Sequence, residues 1–259
     1  MKLIIELTNH CNGNCVFCSN NTIKPKGFMD FDMLKSIIED FPEVKYIKPQ
    51  WFGESAMHPQ FHEMLEYLKQ KDKDIYFYTN GTLIDPVRMA EIDPVQIHFS
   101  IEADNKELYE KIRRGLKWEE AYYNIIEFQK LKKRTRTVAR MTITEENRGR
   151  IGEIKQFWAQ RVDAISAYNE HSVVRDVEGC YRDVKTCKKP EDFMVIGWNG
   201  DYIICCTDYS RSIVLGNVRN GPRKVWDEGA KQREAIRKGQ MMDICKHCGF
   251  THSAYLKRE

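Results

Sequence analysis

A chain of 259 residues with 42% hydrophobic content has enough apolar surface for one sizeable core, or for a core with a small appendage. Its 41 Lys and Arg residues against 38 Asp and Glu leave a net charge of +3, too small to draw it over long range to nucleic acid or an anionic membrane. Only Leu3, Ile4 and Ile5 separate Lys2 from Glu6, short of a signal-peptide core of roughly 7–15 residues, and no later run approaches the roughly 18 that span a bilayer, so a cytoplasmic location is expected.

β-like runs occur at KLIIEL, VKYIKPQWF, DIYFYT, VQIHFSI, TVARMTI and VDAISAY, with amphipathic helical stretches between them such as FDMLKSIIEDF after Asp30 and HPQFHEMLEYLKQK. Six βα steps imply parallel strands with right-handed crossovers, and they place reactive groups at the strands' C-terminal ends. Six units fall short of a closed eight-stranded barrel. The expected fold is therefore α/β, with an open or partial (β/α)6 barrel over about residues 1–168. From about residue 169 the pattern changes: FMVIGWNGDYIICC predicts a hairpin turning at Asn199-Gly200, and VWDEGAKQREAIRKGQ predicts one helix ending near Gly239. A small α+β unit over about residues 169–259, of different architecture and packed on the barrel, is expected.

In a reducing compartment the nine cysteines read as metal ligands or reactive thiols, and the odd count argues against complete disulfide pairing. Cys11, Cys15 and Cys18 follow the first strand at C-x3-C-x2-C spacing. A structural zinc ion normally takes four ligands, for which His10 is the local fourth candidate, whereas a [4Fe–4S] cluster on three thiolates leaves one iron open. This loop, with aromatic Phe17 before the last cysteine, resembles that of the radical S-adenosylmethionine (SAM) enzymes. The resemblance implies that SAM chelates the open iron and that an electron from the cluster cleaves its sulfonium. The 5′-deoxyadenosyl radical so formed takes a hydrogen atom from the substrate, and an external one-electron reductant such as flavodoxin or ferredoxin supplies the electron.

Further segments carry the same resemblance and imply a SAM site that includes Phe17. WFGES looks like the family's Gly-Gly-Glu motif with Phe52 in the first position, so Gly53 and Glu54 fall at the SAM amino group. HFSIE nominates Ser100 and Glu102 near the ribose or methionyl group, and YEKIRRG and the fifth strand nominate Arg113, with its neighbour Arg114, and Arg140. A merely solvated basic face is the alternative for these arginines, because Lys130 to Arg140 is rich in basic residues.

In the last third, Cys187, Gly200 and Cys205 followed by Cys245 and Cys248 match the C-x9–15-G-x4-C and C-x2-C pattern of the twitch subdomain, the shorter relative of SPASM. The match implies a second, fully ligated [4Fe–4S] cluster; a zinc ribbon on the same cysteines is the alternative, and Cys206 could replace Cys205. The longer SPASM form needs more cysteines than the chain has after Cys248. Twitch-bearing relatives include an aminocyclitol dehydrogenase, which implies two-electron oxidation of a polar small molecule. With the first strand at the start of the chain, a leading peptide-recognition domain is not expected, although a peptide substrate (epimerisation or thioether formation) remains open. So does a non-catalytic iron–sulfur carrier. The bridge after the sixth strand offers Tyr168, Glu170, His171 and Arg175 for substrate binding, His171 as a base, and Cys180 as either a small buried residue or a hydrogen-atom donor.

Overall fold

Residues 1–169, 186–246 and 248 are described by the computed structural model. Six strands follow the expected runs: β1 (Lys2–Ile5), β2 (Tyr46–Lys48), β3 (Asp74–Thr79), β4 (Gln96–Ser100), β5 (Arg136–Ile143) and β6 (Ala164–Asn169). Each pairs in parallel with the next. The crossovers are α1 (Phe31–Asp40), α2 (Phe61–Gln70), α3 (Pro86–Ile92), α4 (Lys106–Ile112) with α5 (Trp118–Leu131), and α6 (Ile151–Ala159). Their starts are written locally. Asp30 caps the amides of Asp32 and Met33, Asp85 caps those of Val87 and Arg88 before Pro86 sets the first turn, and Asn105 caps Leu108.

Strand periodicity divides the two faces of this sheet. Ile75 and Phe77 on β3, and Ile97 and Phe99 on β4, are buried in the core shared with the helices. The alternate residues Tyr76, Tyr78, Gln96, His98 and Ser100 are half-buried and line the inner face, where the Tyr78 and His98 rings stack with centroids 4.2 Å apart. A mostly polar inner face is unsuited to dense core packing and leaves room for a polar ligand.

The C-terminal α+β unit packs on the barrel as expected, and it does so by continuing the barrel's own sheet. β7 (Phe193–Ile196) pairs in parallel with β1, from Lys2 opposite Phe193 to Ile5 opposite Ile196, and β8 (Asp201–Ile203) and β9 (Val214–Asn217) continue antiparallel. Among the described residues one sheet runs β6-β5-β4-β3-β2-β1-β7-β8-β9. β1 is thus an interior strand covered on both faces, which explains why Leu3, Ile4 and Ile5 form an unbroken buried run instead of alternating. The hairpin turns at Asn199-Gly200 as expected: the Gly197 amide donates to the Asp201 carbonyl at 2.9 Å.

The single helix expected before Gly239 is two, α8 (Pro222–Glu228) and α9 (Ala230–Arg237), after the short α7 (Lys189–Asp192) and before α10 (Asp243–Lys246). Gly229 breaks it. A Cβ there would lie 2.9 Å from the Arg233 guanidinium and 3.0 Å from both Leu215 and Tyr202, so a larger residue would have to push these side chains aside.

Barrel and C-terminal unit are locked by Glu6, which is fully buried just beyond β1. Its carboxylate accepts from the Phe52 amide at 3.3 Å, the Trp198 amide at 3.2 Å and the Arg211 guanidinium at 2.5 Å. Burial raises its pKa, and Arg211 is the main opposing influence. Arg211→Met strands this carboxylate and should cost about 3–5 kcal/mol in urea unfolding. Glu6→Gln combined with Arg211→Met should cost clearly less than Arg211→Met alone; equal losses would show that the pairing is not what matters.

Candidate active site

Beyond the C-terminal ends of β1 to β6 lies a cavity of ≈ 240 Å³. The cysteine loop contributes Cys11, Cys15, Phe17 and Cys18, the β2 end contributes Gly53 and Glu54, β4 ends in Ser100, and Arg113 follows α4. Residues as far apart in sequence as Cys11 and Tyr168 meet here because the parallel strands all point the same way.

Each of the three sulfurs receives an N–H: the Gly13 amide on Cys11, the Arg113 guanidinium on Cys15 at 3.6 Å and the Asn20 amide on Cys18 at 3.4 Å. Such donors stabilise negative sulfur, so the site fits thiolate ligation. Burial, then Glu54, pushes the Cys11 thiol up to about 12, and burial against the pull of Arg113 leaves Cys15 at about 11. Loading metal must therefore displace protons. Among the described residues no three His, Cys, Asp or Glu side chains converge as a single ion would need, and His10 instead stacks on Phe28 at 4.5 Å.

Glu54 is buried at the cavity wall and held by three hydrogen bonds, one of them on Oε2. Its carboxylate accepts from the Asn80 amide at 2.7 Å, the Thr79 hydroxyl at 2.9 Å and the Ala56 amide at 3.3 Å. Burial nonetheless raises its pKa. Asn80 also donates to Asn12 at 2.9 Å, tying the β3 end to the cysteine loop. This role went unread in the sequence, where YTNG looks like an ordinary turn. Gly53 takes φ +89°, and a Cβ on it would lie 2.5 Å from the His10 carbonyl oxygen, which accepts the Glu54 amide at 2.8 Å.

Glu102 is not among the cavity-lining residues. It is 1% exposed and grips Arg113 with both oxygens, Nη2 to Oε1 at 2.9 Å, while accepting the Thr142 amide at 3.2 Å. Burial opposes the Arg113 charge, but Glu102 and the Cys15 thiol outweigh it and raise the guanidinium pKa. The carboxylate two residues past β4 thus aims a cation at a cluster-loop cysteine. Arg140 also stands outside the lining, between the rings of Tyr78 and Tyr168, both of which line the cavity. Arg114 serves through its backbone, its carbonyl accepting the Asn14 amide at 2.7 Å.

The C-terminal cysteines gather around Lys189. Cys187, Cys205 and Cys248 lie within electrostatic range of its ammonium and of the Cys245 thiol. A hydrogen bond from Cys206 draws the Cys205 thiol down to about 6 and raises Cys206 itself. Cys206 is therefore a neighbour of the set, and its carbonyl accepts the Trp51 indole N–H at 2.8 Å. This unit also sends Tyr209 into the cavity, with its ring 4.5 Å from Phe52. Nothing in a lone tyrosine after the cysteine pair announced that reach. Tyr168 lines the cavity as expected, whereas Glu170, His171, Arg175 and Cys180 lie outside the described residues.

Gly53→Ala is expected to lower stability by about 1–3 kcal/mol in urea unfolding, because its side chain meets backbone. By pushing on the loop that bears Cys11, it should also reduce the iron bound on anaerobic reconstitution. Wild-type stability and iron content would show that the contact is not tight.

Comparison with known proteins agrees with this geometry. The radical SAM superfamily model matches residues 5–158, and the model of SPASM, an iron–sulfur cluster-binding domain, matches residues 187–249. The chain is 32% identical over 107 residues to the tungsten-containing aldehyde ferredoxin oxidoreductase cofactor-modifying protein of Pyrococcus furiosus; the match covers 39% of this chain and 30% of that protein, under a third of its length. In fold it is similar to BtrN in complex with AdoMet and 2-DOIA, with TM-score 0.63 and 16% identity over 96% of this chain and 93% of the other. It is also similar to Streptococcus suis SuiB bound to precursor peptide SuiA, with TM-score 0.71 and 16% identity over 96% and 69%. Matched to the superfamily model from the end of β1 into α6, this chain belongs to the radical SAM superfamily of enzymes and carries a SPASM-type iron–sulfur domain behind its barrel.

Proposed function

We propose that the protein binds SAM and two [4Fe–4S] clusters and removes a hydrogen atom from a polar small molecule, oxidising an alcohol by two electrons. The observation that supports this most is that Cys11, Cys15, Cys18 and Glu54 open on one cavity. When bound, a cluster with one open iron, together with SAM and an electron from a flavodoxin or ferredoxin, supplies a 5′-deoxyadenosyl radical.

The chain's own residues have distinct tasks in this reading. Cys11, Cys15 and Cys18 would hold the first cluster, with the donors on their sulfurs stabilising its negative charge. Glu54 would accept the SAM amino group, whose positive charge relieves the cost of burying that carboxylate. Gly53 sets the approach of that acid to the loop, Phe17 offers an apolar wall, and Ser100 offers a hydroxyl at the β4 end. Glu102 positions Arg113, which bears on Cys15. Cys187, Cys205, Cys245 and Cys248 would hold the auxiliary cluster, and four protein ligands suit electron acceptance better than substrate binding. His171 is proposed as the base. In an oxidation the substrate radical loses an electron and a proton, so the thiol hydrogen of Cys180 is not used.

A peptide substrate is the second reading, because a protein of the same fold is seen holding a precursor peptide. No helix among the described residues is long and apolar enough to cross a membrane, and the reducing cytoplasm is the proposed location.

Anaerobic reconstitution should load about eight irons and eight sulfides per chain. Replacing Cys11, Cys15 and Cys18 by Ala should remove about half of them and abolish release of 5′-deoxyadenosine from SAM and dithionite. Full iron in that variant, with zinc on the C-terminal cysteines, would sink the reading. Oxidation is separated from epimerisation by turnover in deuterated water: no solvent deuterium should enter the product at the attacked carbon, and Cys180→Ala should keep turnover. One deuterium in the wild-type product, together with loss of product but continued 5′-deoxyadenosine release in Cys180→Ala, would establish epimerisation with Cys180 as the donor.

A further inference from the structure

Two cations on the inner face of the barrel have no carboxylate among the described residues. Lys48, the last residue of β2, holds its ammonium 4.1 Å from the centre of the Tyr78 ring. Arg140, on β5, places its guanidinium 5.3 Å from the same ring and 4.2 Å from that of Tyr168, and its Nε donates to the Tyr168 hydroxyl at 3.0 Å. Elsewhere the fold provides for such groups: Arg113 has Glu102, Arg211 has Glu6, and Lys73 donates to the carbonyls of Phe41, Pro42 and Val44. The titratable groups that face Lys48 are Arg140 and the Cys206 thiol, and besides Lys48 those that face Arg140 are the phenols of Tyr168, Tyr78 and Tyr209.

Aromatic faces offset part of the desolvation of a cation, but two cations beside one ring also repel each other. Burial, and then Arg140, draws the Lys48 ammonium down to about 8. An oxyanion between the two would relieve both costs at once. Neither cation is itself a lining residue, but the rings they lie against, Tyr78 and Tyr168, line the cavity, so a ligand there comes within one side chain of both charges. Gln50, two residues beyond Lys48, lines it too, and its buried Oε1 has no donor among the described residues.

We propose that Lys48 and Arg140 form a recognition site for an oxyanion, carboxylate or phosphate, carried by the substrate, and that Gln50 accepts a hydrogen bond from a hydroxyl or amine of the same molecule. This rests on reading the cavity as the reaction chamber. The carboxylate of SAM offers the same chemistry, so the two sources must be separated.

The test uses the reconstituted full-length holoenzyme, saturated with SAM in the absence of reductant, with inorganic phosphate as the probe at ionic strength held constant with chloride. Equilibrium dialysis should show one saturable phosphate site, half-filled in the millimolar range expected for a fragment held by a few charged contacts. Phosphate should slow acetylation of Lys48 by acetic anhydride about fivefold, read by peptide mass spectrometry, and leave the exposed Lys224 unaffected. Lys48→Met should weaken phosphate binding about tenfold or more while its unfolding temperature in chloride does not fall, since it removes an uncompensated charge. Absence of a saturable site, phosphate binding to Lys48→Met equal to wild type, or loss of the site when SAM is added would each overturn the proposal. The protection measurement uses wild-type protein, so it decides the matter even if Lys48→Met does not fold. Release of 5′-deoxyadenosine with dithionite is measured on the same preparation: its absence beside intact phosphate protection would overturn the radical SAM chemistry and leave the anion site standing.

Discussion

The carboxylate of Glu6, sealed from water at the end of β1, takes hydrogen bonds from three separate stretches of chain: Phe52, Trp198 and Arg211. A buried charge tolerates little loss of its partners, so these three must hold their relative positions whenever the protein is folded. Phe52 immediately precedes Gly53 and Glu54, and Trp198 and Arg211 belong to the C-terminal unit. One carboxylate therefore sets the residues proposed for SAM against the unit that carries the second group of cysteines. The indole of Trp51 adds a second tie through the Cys206 carbonyl, and Tyr209 reaches the cavity because that unit is held this close.

The same economy runs through the cavity wall. Glu54 and Glu102 are both buried, and both are held by hydrogen bonds from the chain, so each is oriented before any ligand arrives. Glu54 faces the cavity, while Glu102 stands behind it and acts through Arg113. Two acids of similar burial thus have different work, and the difference is one of position. Glu54 follows β2 where the backbone turns inward at Gly53. Glu102 lies two residues past Ser100, on the other side of the arginine it fixes. Lys48 and Arg140 contrast with them: the fold surrounds these cations with aromatic rings and phenols and supplies no acid among the described residues. Stability alone would favour apolar residues there.

Much of the site could be read before the structure because its chemistry is concentrated in short segments. Three cysteines at C-x3-C-x2-C spacing, an acid after a short apolar strand, and a paired C-x2-C are local patterns whose ligand count points to a chemistry. Asn80, Gln50, Lys48 and Tyr209 were not legible in this way. Each is an ordinary residue in an ordinary segment, and each matters only through a partner far away in sequence, such as Asn12 for Asn80 or Phe52 for Tyr209.

By itself the sequence determined the alternation of strands and helices, the parallel order that follows from it, the hairpin at Asn199-Gly200 and the identity of the thiols. These depend on periodicity, turn chemistry and spacing, all written within a dozen or so residues. Tertiary structure alone decided that β7 would dock beside β1, because any short apolar strand can fill an open sheet edge and only the rest of the packing selects one. It decided the break at Gly229, where the helical pattern continues but Leu215 and Tyr202 crowd the position at which a side chain would start. It also decided which acid meets the cavity and which cations have no acid beside them among the described residues, because burial and pairing are properties of residues brought together from distant parts of the chain.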